Sequence, residues 1–308
     1  MIKDKPENIS LKRGVKYWVC LLSVGLIGGI LIALLVIEVI YITVTTNPAP
    51  SVVGEPPRNS MGIEYQPVTL ISDLDAIPLS GWHIPSENGA AIILLHGFGS
   101  NRLEMLSRAN ILAQHGYGVL LYDLRGHGES GGDKRTFGWQ DVEDVNTALD
   151  YLLSSEEVDP DKIGILGFSI GGQIAIRAAA EHEEIRAIIA DDPAFVTVDD
   201  APRPRNITEK IVYAVSWLDG RCVSLWTGIP IPAGIPETLT KVSPRPIMFI
   251  DTGESGGREL VRSFYHIADQ PKQLWEIPET YHGGQFDARP LEYEEKMITF
   301  FNDNLLNK

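Results

Sequence analysis

The chain has 308 residues, 44% of them hydrophobic and 22% charged, with a formal net charge of −15. Those proportions are globular, and the length admits a membrane segment plus one large α/β domain. The acidic balance repels phosphate backbones, so nucleic acid is a poor partner, and two cysteines, Cys20 and Cys222, leave no disulfide framework or zinc-like Cys/His spacing in the soluble part.

Residues 1–16 carry five basic side chains (Lys3, Lys5, Lys12, Arg13, Lys16) and two acidic ones (Asp4, Glu7), so the remainder sums to −18. Residues 18–37 follow without a charge, about 30 Å of helix, the thickness of a bilayer's hydrocarbon core. Tyr17 and Trp18 flank one end and Tyr41 the other, as interfacial aromatics do. We expect a cytoplasmic basic tail (1–16), a transmembrane anchor (17–44) and, from the basic flank, an N-terminus in the cytoplasm with the bulk of the chain outside a cell membrane. A cleaved signal peptide is the alternative; the apolar run is longer than such peptides use, and no small-x-small site closes it. Gly25, Gly29 and Ala33, spaced by four, offer a weak homodimer contact between anchors. An extracytoplasmic chain without disulfides suits a bacterium. Residues 45–62 are Pro-rich and polar and read as a semi-rigid stalk.

From residue 63 onward strand-like runs at 68–72, 79–84, 91–95, 118–122, 162–167, 186–190, 246–251 and 273–277 alternate with helical patterns at 103–114, 140–153, 170–181, 257–268 and 290–304. The first two strands, joined without a helix, predict an antiparallel hairpin. The rest predict a mostly parallel sheet with helices on both faces. Residues 193–245 break the rhythm with seven prolines and with Phe195, Tyr213, Trp217 and Trp226, and are expected to form a small lid.

Three loops at strand ends carry the chemistry. The run 91–95 opens into His96-Gly97-Phe98-Gly99, where glycines free the backbone to aim N–H groups at a ligand. The Tyr122 strand ends in Asp123-Leu124-Arg125-Gly126-His127-Gly128-Glu129-Ser130, consecutive residues read as a bracing loop rather than a triad, and His96 is read as structural. Gly167-Phe168-Ser169-Ile170-Gly171 stands where an apolar strand switches to a helical pattern, the setting of a G-x-S-x-G nucleophile elbow. The turn projects the Ser169 hydroxyl, and the N–H groups of Ile170 and Phe98 are candidates for an oxyanion hole.

The three motifs, in this order and each at a strand end, resemble the serine-dependent α/β-hydrolase superfamily over roughly residues 63–306. The resemblance implies an α/β-hydrolase fold with an eight-stranded sheet, a nucleophile at Ser169, and an acid and a histidine following in that order. Of His83, His96, His115, His127, His182, His266 and His282, only the last two follow the final long strand, and His266 falls within a helical run. His282, in a loop between the last strand and last helix, matches the family's base. For the acid, the stretch after the preceding strand departs from the commoner pattern. Glu254 is the first choice and Asp251 the second, with Asp191 and Asp192, after an earlier strand, remaining. The expected function is hydrolysis of a carboxylic ester through an acyl-enzyme, without cofactor or metal. An exopeptidase or a thioesterase on the same fold is the alternative within enzymes, and a membrane-tethered binding protein the alternative outside them.

Overall fold

The computed structural model describes residues 7–55, 63–253, 258–278 and 280–307, in two compact units divided between Thr45 and Thr46. The first is the helix α1, Glu7–Thr46, whose stretch Lys16–Thr46 is long and apolar enough to cross a membrane. Most of its aliphatic side chains, among them Leu22, Leu26 and Ile32, are exposed.

The second unit is built on β1 (Gln66–Ile71), β2 (Pro78–Ile84), β3 (Ala91–Leu95), β4 (Gly118–Tyr122), β5 (Ile163–Phe168), β6 (Ile185–Asp191), β7 (Ile247–Asp251) and β8 (Lys272–Glu276). These form one eight-stranded sheet in the order β8-β7-β6-β5-β3-β4-β2-β1, with β2 running against the other seven. This is the α/β-hydrolase architecture the motifs led us to expect, hairpin included: β1 and β2 pair antiparallel from Gln66–His83 to Ile71–Pro78.

The helices are α2 (Leu106–Gln114), α3 (Asp141–Leu153), α4 (Ile170–Glu181), α5 (Ile207–Thr227), α6 (Ile235–Leu239), α7 (Arg258–Ile267), α8 (Gln285–Ala288) and α9 (Pro290–Phe301). Successive side chains of a strand point to opposite faces, so β3 feeds two cores. Ala91, Ile93 and Leu95 pack with α3, α4 and α7 through Val145, Ile174 and Phe264. Ile92 and Leu94 pack with α2 and α9 through Leu112, Met297 and Phe301. Because both faces are covered, β3, β4 and β5 are buried throughout and read as continuous apolar runs. A parallel sheet of this kind gathers its functional loops at the carboxyl ends of the strands.

Two segments differ from a plain reading of the sequence. Residues 46–54, expected as free stalk, are fastened to the loop after β4. Ala49–Pro50 pairs in parallel with His127–Gly128, Arg135 N–H and Nε donate to the carbonyls of Thr46 (2.7 Å) and Asn47 (2.6 Å), and Val53 and Gly54 N–H donate to Glu129 Oε1. Prolines keep this strand extended, and the backbone N–H groups that remain are free for neighbouring acceptors. The rest of the expected stalk, 56–62, lies outside the described residues. Second, the 193–245 excursion between β6 and β7 is dominated by the 21-residue α5, capped by Asn206, whose side chain accepts the Glu209 N–H, and ended by Gly228 at φ 77°. Its base is pinned by buried Asp200, which accepts the Val196, Thr197 and Ile235 N–H groups and pairs with Arg177.

Candidate active site

Ser169 sits at the junction of β5 and α4 with φ 55° and ψ −117°, a conformation L-residues rarely adopt. The turn closes only without side chains on either flank. A Cβ on Gly167 would lie 2.0 Å from the Gly171 carbonyl oxygen, and one on Gly171 would lie 2.3 Å from the carbonyl oxygen of Leu95. The same contact sets the start of α4 directly against the end of β3, where the His96–Gly99 loop begins. Ser169 N–H is held by the Asp191 carbonyl at 2.9 Å.

The loop after β8 brings His282 to this serine: Nε2 is 2.9 Å from Ser169 Oγ, and Nδ1 is 2.7 Å from Asp192 Oδ2. A carboxylate only accepts, so Nδ1 carries the proton and Nε2 is left to accept from the hydroxyl. Asp192 is fully buried, at φ 47°, and Oδ2 also accepts the Thr252 hydroxyl at 2.5 Å. The His282 ring tilts over Phe168, with centroids 4.8 Å apart. Burial pushes the His282 pKa down, but the hydrogen bond and charge of Asp192, with the charges of Asp191 and Glu104, outweigh it and the net shift is upward.

The carboxylate on His282 is thus Asp192, not Asp251. Asp251 ends β7, and its Oδ1 accepts the Gly253 N–H at 2.7 Å; Glu254 lies outside the described residues. The reason is in the sheet. β6 and β7 are neighbours, with Asp191 beside Ile250, and Asp192 N–H donates to the Ile250 carbonyl, so the turns leaving the two strands lie side by side. Either strand can deliver an acid to the same histidine. Here β6 delivers it, and β7 contributes the Thr252 hydroxyl.

Asp191, a candidate of the same pair, points elsewhere. It takes hydrogen bonds from Arg108 Nη2 (3.0 Å), Tyr293 OH (2.6 Å) and Gln285 Nε2 (2.6 Å). That ties the end of β6 to α2, α9 and the residue three positions after His282.

Phe98 and Ile170, the oxyanion candidates, lie in the loop after β3 and at the first turn of the 12-residue α4. Among the described residues neither N–H has an acceptor, and a helix N-terminus favours negative charge. The loop is held from behind. Glu104 Oε2 accepts the Gly97 N–H at 2.6 Å, Phe98 stacks on Phe137 with centroids 5.1 Å apart, and Arg135 lies over the Phe98 ring. His96 Nδ1 faces the Gly97 carbonyl and Nε2 accepts the Leu124 N–H, while burial drives its pKa down to about 3, so it is a neutral fastener.

The 123–130 segment braces the site as a loop. Asp123 accepts from Arg102 N, Arg102 Nη1 and Glu129 N, and Ser130 Oγ donates to the Asp123 carbonyl at 2.6 Å. His127 Nδ1 faces the Arg125 carbonyl rather than Ser130. Residues that sequence reasoning passed over are Thr252 and Glu104. Their only sequence signal is position, one residue past β7 and seven past Gly97.

A family model described as serine aminopeptidase, S33, matches residues 86–227, which hold the elbow, the 96–99 loop and Asp192. The uncharacterized protein YfhR of Escherichia coli is 25% identical over 268 residues, covering 82% of this chain and 84% of its own. The thiohydrolase aneE of Aspergillus aculeatus is 32% identical over 133 residues, 42% of each chain. Among solved structures, an esterase of Pyrococcus furiosus superposes with a TM-score of 0.68 at 25% identity, over 85% of this chain and 98% of its own.

Proposed function

From a chain that belongs to the α/β-hydrolase superfamily, we propose a serine hydrolase that cleaves carboxylic esters and is held at a membrane by residues 17–44. The observation that carries the reading is the continuous relay from Ser169 Oγ through His282 to buried Asp192, at 2.9 and 2.7 Å. His282 Nε2 takes the Ser169 proton as Oγ attacks the ester carbonyl. The Phe98 and Ile170 N–H groups receive the oxyanion, each such donor contributing about 2.7–4 kcal/mol in comparable sites. His282 then protonates the leaving alcohol, takes a proton from water as that water attacks the acyl carbonyl, and gives it to Ser169 Oγ as the acid leaves. Asp192 orients the imidazole and stabilises its charged form. No step calls for a cofactor.

The ester preference rests on the apolar 193–245 segment and the tether. Thioester and N-terminal peptide cleavage run through the same steps, and the names of a relative and of the matched family make them the substrates to set beside esters. The anchor is read with its basic end in the cytoplasm, and Gly25, Gly29 and Ala33 as a weak contact between two anchors.

The test is fluorophosphonate labelling of the wild type and of Ser169→Ala, followed by aryl and acyl esters, acyl thioesters and aminoacyl anilides. Labelling that survives Ser169→Ala, or no turnover of any ester, sinks the reading.

A further inference from the structure

The helix α5 is exposed along nearly its whole length although it is largely apolar. Ile207, Ile211, Val215, Leu218 and Leu225 recur at steps of four, four, three and seven, which places them on one stripe, and Ile207 and Leu225 are 72% and 85% exposed. Trp217 and Trp226 are exposed as well. A solvated helix of 21 residues with such a stripe wants a cover.

Chain connectivity indicates what the cover is. The hydrolase unit begins at Thr46, the last residue of α1. The Thr46 carbonyl accepts the Arg135 N–H, and Lys134, the adjoining residue, donates from Nζ to the Trp226 carbonyl at 2.8 Å and lies 5.9 Å from its ring. The residue whose N–H holds the anchor's exit is therefore next in sequence to the one whose side chain holds the C-terminal end of α5. Residues 46–54 are hydrogen-bonded within the second unit. The helix itself is neutral, with Lys210 and Arg221 against Glu209 and Asp219, and Arg203 and Arg205 stand just before its N-terminal end in a chain of −15. An aromatic-bearing helix with one apolar stripe, preceded by two arginines, matches the surface of a bilayer.

We infer that α5 is an interfacial helix, its apolar stripe seated in the leaflet of the same bilayer that the anchor crosses. The inference rests on the anchor reading of residues 17–44, and the experiment separates the two. The full chain, with Cys20→Ser and Cys222→Ala, is reconstituted in nanodiscs of phosphatidylcholine and phosphatidylglycerol. A nitroxide is placed singly at Leu218→Cys, at Leu26→Cys in the anchor, and at Glu156→Cys, exposed just before β5 at the edge of the sheet opposite Ser169. Folding of each variant is checked by circular dichroism. Collision with oxygen relative to a water-soluble nickel chelate should rise severalfold at 218 over 156, and more at 26. A 218 label as water-accessible as the 156 label, with 26 in lipid, overturns the inference and leaves the anchor standing. A water-accessible 26 label overturns both. Dipolar broadening at 218 that reports two neighbouring labels assigns the stripe to a second copy of the chain and also overturns it.

Discussion

Replacing Asp192 by asparagine removes one charge at nearly constant volume and tests the assignment of the acid. Asp192 is fully buried, and Oδ2 receives both the His282 Nδ1–H at 2.7 Å and the Thr252 hydroxyl at 2.5 Å. An asparagine that turns its oxygen to those two donors keeps the histidine tautomer but loses a charge-assisted hydrogen bond, about 1.5–3 kcal/mol, or roughly 10–10² in rate. One that turns its amide inward forces Nε2 to carry the proton, and the loss then approaches the roughly 10⁴-fold seen when a serine-protease aspartate is amidated. We therefore expect kcat/KM for an activated ester to fall by about 10 to 10⁴, with fluorophosphonate labelling slowed in parallel. Asp251→Asn, whose parent carboxylate accepts the Gly253 N–H, should stay within about tenfold of wild type, the value of one ordinary hydrogen bond. Glu254→Gln completes the set. Assays at matched circular dichroism and thermal midpoint read the chemistry alone. If Asp192→Asn stays within tenfold while Asp251→Asn or Glu254→Gln falls further, the reasoning from this geometry is wrong.

The pH profile should carry the same signature. His282 works as a base only when neutral, and its pKa lies above the ordinary 6.5, so kcat/KM should climb with pH through a midpoint above that value; a midpoint below 6.5 contradicts the assigned surroundings. Glu104→Gln keeps an acceptor for the Gly97 N–H but deletes a charge that raises the His282 pKa, and should move the acid limb to lower pH with little change in the plateau. Thr252→Val removes the hydroxyl from Asp192 and should cost about 1 kcal/mol, roughly fivefold in kcat/KM; equal rates would detach Thr252 from the relay. Gly171→Ala sets a methyl 2.3 Å from the Leu95 carbonyl oxygen, and should destabilise the fold by about 1–3 kcal/mol or more, as overpacking does; an unchanged thermal midpoint would mean that β3 and α4 are not pressed together there.

What the sequence disclosed and what it withheld follow from the range of the interactions involved. The inner strands β3, β4, β5 and β7 were legible because burial on both faces writes apolar runs that no loop imitates, and the elbow because its tolerance for side chains is set by atoms a few residues away, Gly167 against Gly171. His282 was legible from its place after the last strand. The acid was not, because its choice is a matter of sheet order: β6 and β7 are adjacent, and turns 60 residues apart in sequence meet at one histidine. Nothing local separates an aspartate that reaches Nδ1 from one that caps its own turn, as Asp251 does. Residues 46–54 escaped for the same reason. A Pro-rich segment reads as free chain until its partners, Gly126, Gly128, Glu129 and Arg135, are placed beside it. That fastening ties residues 46–54 to the loop that carries Arg135, whose guanidinium covers the Phe98 ring. In the proposed function, substitutions at Arg135 should loosen residues 46–54 and the Phe98 loop together and so lower the esterase rate.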